Sequence, residues 1–251
     1  MTRTHKIGTT FLAVAPVLFL PGTARAMHIS EGILPLGWAA AWFAVSIPVL
    51  LLALWRVKTR AAEDLSYKPL LGLLAATVFI ISAMPIPIPT AGTCSHPCGT
   101  AISAILLGPL ASILVGAAAL LVQALLMAHG GLSTWGANIV SMAMVGSLVG
   151  YGVFKGLRRL GASLAVAAFA AGLLADWATY ATTALELSAG VSGPGEVWPL
   201  FVQIAAAFVP TQLPIGVIEG FMASGMVSLL ARRRPDMLVR FHILKPEEVS
   251  S

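Results

Sequence analysis

The sequence Thr93-Cys94-Ser95-His96-Pro97-Cys98-Gly99, followed by the apolar octapeptide Thr100–Leu107, decides how this chain folds. A proline ladder at Pro85, Pro87 and Pro89 precedes it. Eight residues make only about 12 Å of helix, whereas the hydrocarbon core of a bilayer is about 30 Å thick. Non-helical backbone at membrane depth is tolerated only where it is buried in protein or lines a cavity. We therefore predict a re-entrant loop over residues 85–99 and a half-length helix over residues 100–107, with His96 in a pocket below the outer surface.

The chain around this stretch has the composition of a membrane protein. Of its 251 residues, 58% are hydrophobic and 10% are charged, and the mean hydropathy is +0.90. A soluble domain carries about a quarter charged residues. The two cysteines exclude a disulfide-rich scaffold. The basic residues behind the sequence pI of 9.6 lie at the ends of apolar runs, which indicates topology in a lipid bilayer rather than nucleic-acid binding.

The apolar runs predict seven membrane crossings. Besides residues 100–107, they cover residues 37–55, 69–84, 110–127, 137–154, 163–185 and 200–230. Basic residues follow the 37–55, 137–154 and 200–230 runs, and positive loops stay in the cytoplasm. This charge pattern fits only if residues 100–107 count as a crossing. We predict an all-α, seven-crossing helical bundle in the plasma (inner) membrane, N-out and C-in, in which the loops at His96, His129 and residues 186–196 face outward.

The N-terminus is typical of an export signal. Arg3 and Lys6 precede an apolar run over residues 7–20, and Ala24-Arg25-Ala26 is a small-x-small cleavage site. An uncleaved first transmembrane helix is the alternative, but a span needs about 20 apolar residues and this run is shorter. We predict a cleaved signal peptide over residues 1–26, a transmembrane metal-binding bundle over residues 27–231 and a basic cytoplasmic tail over residues 232–251.

Cleavage before Met27 creates a metal chelator. The free amine of Met27, the backbone nitrogen of His28 and the His28 imidazole fill three corners of a square plane, and His96 is the candidate for the fourth. Such nitrogen-rich ligation suits Ni(II), Cu(II) and, by enforced geometry, Co(II). The alternative for His96 is a hydrogen-bonding loop histidine, because histidine has many roles.

Four other polar residues near these histidines are candidates for supporting the site or the path to it. Glu31 is placed to pair with the amine or to orient His28, and Ser95 adjoins His96. His129 is a candidate for the access path, with a helix cap as the alternative. Asn138 is predicted to hydrogen-bond the site loop, with an N-cap as the alternative.

Polar residues elsewhere carry further expectations. Cys94 and Cys98 flank His96; we favour a disulfide over thiolate ligation, because nitrogen ligands already complete a plane. Asp176 and Glu219 fall within apolar runs, where ionisable groups are costly and are functional candidates, and Gln212 lies two turns before Glu219. The chain has no G-x-x-x-x-G-K-[ST] motif, so it does not hydrolyse ATP itself.

Four motifs together resemble the CbiM/NikM family, the substrate-binding membrane components of energy-coupling factor transporters for cobalt and nickel. They are Met27-His28-Ile29-Ser30-Glu31-Gly32, the segment Pro89-Thr90-Ala91-Gly92-Thr93-Cys94-Ser95-His96, the segment from His129-Gly130-Gly131 to Asn138-Ile139-Val140-Ser141-Met142, and the segment from Thr211-Gln212-Leu213-Pro214 to Glu219-Gly220. The resemblance extends from Met27 to about Leu230. Two features depart from the family: processing has to create the Met-His terminus here, and the Cys94/Cys98 pair is not general.

The resemblance implies a seven-helix bundle that binds Co(II) or Ni(II) through Met27, His28 and His96. It also implies several partners: a transmembrane coupling protein, ATPase subunits and a small accessory membrane protein. Two other functions stay open at this point. One is an integral membrane enzyme that uses Asp176, Glu219 and His129 on a lipid-like substrate, and the other is a metal sensor or chaperone that does not transport.

Overall fold

A computed structural model describes residues 28–83, 86–88 and 93–248 of the chain. The predicted signal peptide and the ligand candidate Met27 lie outside the described residues. Seven helical segments follow one another along the chain, with bounds α1 (Leu36–Glu63), α2 (Tyr67–Ser82), α3 (Thr100–Leu107), α4 (Pro109–Leu126), α5 (Trp135–Arg159), α6 (Leu164–Val191) and α7 (Val197–Arg233). A short helix α8 (Pro235–Arg240) and a 3₁₀ turn (Pro246–Glu248) follow. The protein is therefore an all-helical membrane protein, apart from one short hairpin.

Five of these helices are long and apolar enough to cross a membrane, namely α1, α4, α5, α6 and α7. The shorter α2 is also apolar. Large apolar side chains on the outside, such as Leu51 and Phe221, are more than 60% exposed, as expected of surfaces that face lipid.

The half-length helix is confirmed with the predicted bounds. All eight residues of α3 are buried, and the helix is preceded by Gly99, whose φ of +72° favours glycine. Before it, β1 (Ile86–Ile88) pairs antiparallel with β2 (Thr93–Ser95), with Pro87 opposite Cys94. The irregular backbone of residues 95–99 is thus enclosed by protein, as the short length of α3 requires.

Helix α5 is not a regular α-helix throughout. Residues Ile139–Val145 form π-helical turns between two α-helical parts. Single π-helical turns inside α-helices occur frequently at functional sites. This one begins directly after Asn138, which contacts the N-terminal segment as described below.

Helices α6 and α7 pack closely because glycines line their contact. A Cβ built on Gly172 would lie 2.7 Å from the carbonyl oxygen of Glu219, and one on Gly220 would lie 2.9 Å from the ring of Phe169. Small residues permit such close approach of helix backbones in membranes.

We expect Gly172→Ala to lower the free energy of unfolding by about 1–3 kcal/mol, the usual cost of overpacking, because its Cβ meets backbone that cannot rotate away. Gly152 on α5 is the matched control, since nothing lies within 4 Å of a Cβ built there. Gly152→Ala should be neutral or should stabilise by up to about 1 kcal/mol. Thermal unfolding in detergent measures both, and equal shifts for the two variants would contradict the close contact.

Candidate metal centre

Three buried histidines from three distant segments converge on one point. His28 precedes α1, His96 lies between β2 and α3, and His129 lies between α4 and α5. One ring nitrogen from each lies within 4.8 Å of the other two. The ring centroids are 5.0 Å apart for His28 and His96, 4.8 Å for His28 and His129, and 5.4 Å for His96 and His129. The structure therefore places His129 directly beside the predicted pair of histidines.

The orientation of His28 is set by a chain of hydrogen bonds inside the bundle. Its Nε2 donates to Oε1 of Gln123 over 2.8 Å, and Nε2 of Gln123 donates to Oγ of Ser82 over 2.8 Å. Ser82 in turn donates to the carbonyl of Val78 over 2.7 Å. A neutral imidazole that donates through Nε2 has a bare lone pair on Nδ1. This is the nitrogen that a chelate with the adjacent backbone and amine requires.

His96 and His129 both present a bare Nε2. Nδ1 of His96 donates to the carbonyl of Pro97 over 2.8 Å, and the hydroxyl of Tyr180 accepts from His96 N and donates to His96 O over 2.9 and 3.0 Å. Within the described part of the chain, Nε2 of His96 and Nε2 of His129 are buried without a hydrogen-bond partner. A buried polar atom without a partner is costly, and a bound metal ion would supply the missing partner.

Burial keeps these imidazoles neutral. It lowers the pKa of His28 well below its usual value, helped by the neighbouring His96 and His129. It lowers the pKa of His96 to about 3, again helped by His129, and that of His129 to about 4. Because metal ligands must be deprotonated, the three imidazoles are ready to bind at neutral pH without first losing a proton.

The N-terminal segment is held against the α4–α5 connection. The side chain of Asn138 accepts from Ile29 N over 2.8 Å and donates to Ile29 O over 3.3 Å, and the hydroxyl of Thr134 also donates to Ile29 O. A Cβ on Gly130 would lie only 2.9 Å from Cβ of His28. Asn138 was predicted to hydrogen-bond the site loop, and in the structure it binds the backbone directly after His28 instead.

Glu31 also holds this segment. Its Oε2 accepts from Ser133 N over 3.0 Å, and the hydrogen bonds from Ser133 lower the pKa of the carboxyl. The sequence predicted a pairing with the amine or an orienting role for His28. In the structure, Glu31 fixes the position of the N-terminal segment by its hydrogen bond to the α4–α5 connection.

The loop that carries His96 is held from the other side by α6 and α7. Oγ of Ser95 is 2.7 Å from Oγ1 of Thr211. The carboxylate of Glu219 accepts from Cys98 N over 2.6 Å and from Gly99 N over 2.8 Å. Glu219 is therefore an anchor of the site loop, and Ser95 supports the loop rather than an imidazole.

The predicted disulfide between Cys94 and Cys98 is wrong, because Cys98 is a free, buried thiol. Its Sγ donates to Oδ1 of Asp176 over 3.8 Å, so the thiol points into the bundle. Cys98, Asp176 and Glu219 form a second group whose candidate ligand atoms lie within 4.8 Å of one another. The acids and His129, which the enzyme alternative needs together, thus belong to different groups.

Gln212 takes no part in the described hydrogen bonds of the histidines. Its backbone carbonyl accepts from the indole of Trp177 over 3.1 Å, whereas its side-chain amide is buried without a partner among the described residues.

Three features of the site and its surroundings were not predicted from the sequence. Gln123 is a lone amide in the apolar α4, and that isolation was the available signal. Tyr180, which holds both backbone groups of His96, had no signal beyond its place near Asp176. Glu186 was placed in an outward loop, but α6 continues to Val191 and buries Glu186 completely.

We expect Gln123→Leu to weaken metal binding by about 10- to 100-fold, the usual cost of losing a partner that orients a ligand histidine. The substitution removes the acceptor that keeps the Nδ1 lone pair of His28 bare. Gln212→Leu is the control, because it removes another buried amide in which neither polar group has a described partner. Calorimetric titration with Co(II) compares the two, and an equal affinity for both variants would contradict the orienting role.

Comparisons with known proteins agree with this helical membrane fold. Residues 28–237 match the family CbiM, described as the cobalt uptake substrate-specific transmembrane region. A cobalt transport protein CbiM of Geobacter sulfurreducens is 65% identical over 232 residues, which are 92% of this chain and 67% of that protein. One of Sorangium cellulosum is 53% identical over 219 residues, which are 87% and 97%. A crystal structure described as a transition metal transporter superimposes with a TM-score of 0.74 at 29% identity, covering 82% of this chain and 93% of that one.

Proposed function

The chain belongs to the CbiM family of substrate-specific transmembrane components for cobalt uptake, and we propose that it captures Co(II) or Ni(II) outside the cell through Met27, His28 and His96. It is a multi-pass membrane component of a transporter rather than an enzyme. In the proposal, the Met27 amine, the His28 backbone nitrogen, Nδ1 of His28 and Nε2 of His96 form the square plane. Nε2 of His129 is positioned to approach the same ion from one face.

The observation that carries the proposal is the convergence of bare, buried imidazole nitrogens. Nε2 atoms of His96 and His129 lack partners within the described structure, and the hydrogen bond to Gln123 leaves Nδ1 of His28 bare. Imidazole nitrogen suits Co(II) and Ni(II), whereas Mg(II) and Ca(II) prefer oxygen ligands. A ligand set without described carboxylates therefore favours transition metals over the more abundant alkaline-earth ions.

We further propose seven crossings, with the N-terminus outside and the C-terminus inside. Basic side chains from α1, α5 and the C-terminal segment, namely Arg56, Arg60, Lys155 and Arg240, line a single cavity of about 560 Å³. Positive residues mark the cytoplasmic face. The same cavity is lined by Leu107 at the end of α3, whereas His96 of the metal centre lies before the start of α3. The half-length helix thus supports a metal centre opposite the basic face.

The tail beyond α7 fits a cytoplasmic position on that basic face. The guanidinium of Arg240 pairs with Asp64 between α1 and α2, and that of Arg158 pairs with Glu248. Nζ of Lys155 donates to the carbonyl of His242 over 3.0 Å. The segment is therefore packed against the bundle, where movements of a cytoplasmic partner would reach it directly.

The energy for uptake is proposed to come from partners. Because the chain has no phosphate-binding loop, ATPase subunits and a transmembrane coupling protein would reorient or open the bundle and release the ion inward. A small accessory membrane protein completes the proposed complex in the inner membrane. Imported cobalt would serve cobalamin biosynthesis.

The proposal is tested by N-terminal sequencing of the membrane-purified protein together with radioactive Co(II) and Ni(II) uptake by cells that lack only this chain. We expect a mature chain that begins at Met27, and uptake that returns when the gene is restored. Unchanged uptake in the deletion strain would exclude transport, and a chain cut elsewhere would exclude the amine as a ligand.

A further inference from the structure

A second cluster of potential metal ligands lies beside the histidines and supplies no ligand in the proposed capture of the ion. Cys98, Asp176 and Glu219 are each fully buried, and one ligand atom from each lies within 4.8 Å of the other two. The thiol of Cys98 faces the Asp176 carboxyl, with 3.8 Å between Sγ and Oδ1. One sulfur and two carboxyl groups therefore meet inside the bundle.

The hydrogen bonds of the cluster leave room for a cation. Within the described structure, Oδ2 of Asp176 is buried and lacks a hydrogen-bond partner. It lies against α7, 3.1 Å from a Cβ built on Gly216, one turn before Glu219. The two oxygens of Glu219 accept one backbone hydrogen bond each, and a carboxylate has about four lone-pair positions. Buried acids in a membrane are expensive unless they are paired or bind an ion.

The cluster lies further from the outer surface than His96 does, as contacts with two different helices indicate. On α6, Tyr180 contacts His96 and Asp176 contacts Cys98, so the cluster is one turn, about 5–6 Å, closer to the start of that helix. On α7, Thr211 contacts Ser95 and Glu219 contacts Cys98, which is about 12 Å closer to its end at Arg233. Both directions lead toward the basic face.

Buried hydroxyl groups beside the cluster extend toward the basic face. The Oγ1 atoms of Thr100 and Thr179 both approach Gly146, at 2.6 and 2.9 Å from a Cβ built there. Below them, Oγ of Ser112 lies 2.6 Å from Oγ of Ser103 and 2.7 Å from Oγ of Ser147. The end of α3 then lines the basic cavity. Polar atoms thus extend from the histidines toward the opposite face.

We infer that Cys98, Asp176 and Glu219 form a second site for a divalent transition-metal ion, which receives the ion as it moves inward from the histidines. The ligand set of one thiolate and two carboxylates suits Co(II) and Zn(II) better than Mg(II). On binding, the thiol proton is released to water, as thiolate ligation requires. The binding site stands on the geometry of the cluster, whereas its place on an inward path rests on the proposed transport function.

Co(II) titration of the full-length processed protein, purified with a tag that contains no histidine, tests the site. We expect two ions per wild-type chain and one per His28→Ala/His96→Ala chain. The ion that remains should show a near-ultraviolet thiolate-to-Co(II) charge-transfer band. Adding Cys98→Ala to that double variant should remove the band and the ion, whereas adding Cys94→Ser, the matched control, should keep both.

Two results would overturn the inference. One is a double variant that binds no Co(II) and shows no thiolate band while its thermal unfolding matches that of the wild type. The other is a thiolate band that depends on Cys94 instead of Cys98. If Asp176→Asn retains the fold, it should weaken binding of the remaining Co(II) ion at least tenfold. An unchanged affinity would exclude Asp176 as a ligand.

Co(II) uptake tests the inward path separately from metal binding. Cys98→Ala in the wild-type background should keep binding at the histidines but reduce Co(II) uptake at least tenfold. Wild-type uptake by this variant would refute a transit role even if the second site binds metal. The proposed capture function fails separately, if His28→Ala transports normally.

Discussion

Replacing His28 with alanine should abolish Co(II) and Ni(II) uptake and weaken binding at the histidine centre by more than 100-fold. Loss of a partner that only orients a ligand histidine costs about 10- to 100-fold in affinity, and here the ligand itself is removed. The change deletes the Nδ1 donor and the chelate ring that would fix the neighbouring backbone nitrogen. His96→Ala should have a similar effect, because it removes the Nε2 atom that is left without a described partner.

The variant should remain folded, which separates the loss of metal from loss of structure. The described hydrogen bond that disappears is the one to Gln123, and an unpaired buried acceptor costs about 1–3 kcal/mol. The contacts of Ile29 and Glu31 keep the N-terminal segment in place.

His242→Asn is the matched control for this experiment. His242 is an exposed residue of the C-terminal segment. Its φ of +57° is a backbone conformation that asparagine tolerates. It should bind and transport as the wild type does. Thermal unfolding, Co(II) calorimetry and radioactive uptake make up the comparison. Normal uptake by His28→Ala would show that the ion does not need this centre.

The path of the chain was largely predictable because membranes constrain it strongly. Irregular backbone at membrane depth has to be enclosed, and basic loops have to stay on one side. Together these rules required the eight residues Thr100–Leu107 to form a buried half-length helix, and the structure contains it. The end of α6 was not predictable in this way. Glu186 looked like the start of a polar loop, but the helix continues for five residues beyond it and packs the acid inside.

The proximity of His28 and His96 was predictable, and the orientation of their rings was less so. The pairing of the two residues was expected from the predicted chelating N-terminus and from the predicted topology. Which nitrogen of each ring is bare depends on single hydrogen bonds, to Gln123 and to the carbonyl of Pro97, that only the folded packing creates. The thiol of Cys98 illustrates the limit of spacing arguments. Its nearness to Cys94 along the chain suggested a disulfide, whereas the backbone clamp from Glu219 directs it toward Asp176.

A four-residue Gly-Ser-Gly-Ser extension placed before Met27, with the cleavage site kept upstream, should abolish uptake and weaken Co(II) binding by more than 100-fold. The extension turns the amine of Met27 into an amide, which removes one ligand and gives the site another backbone proton to displace. A single added residue is unsuitable, because a histidine at the third position forms a new chelate with two backbone amides. The same extension after Ser251 is the control and should leave binding unchanged.

This extension distinguishes two ways in which the histidines would hold the ion. In the square-planar arrangement, the amine and the His28 backbone nitrogen supply half of the ligands, so the extended protein loses the ion although all three imidazoles are intact. If the imidazoles of His28, His96 and His129 alone hold the ion, the extended protein should bind with nearly wild-type affinity, since their nitrogens already lie within 4.8 Å of one another. N-terminal sequencing confirms the cut, and the electronic spectrum of bound Co(II) reports the geometry. Retained affinity together with a tetrahedral spectrum would make His129 a full ligand and exclude the amine chelate.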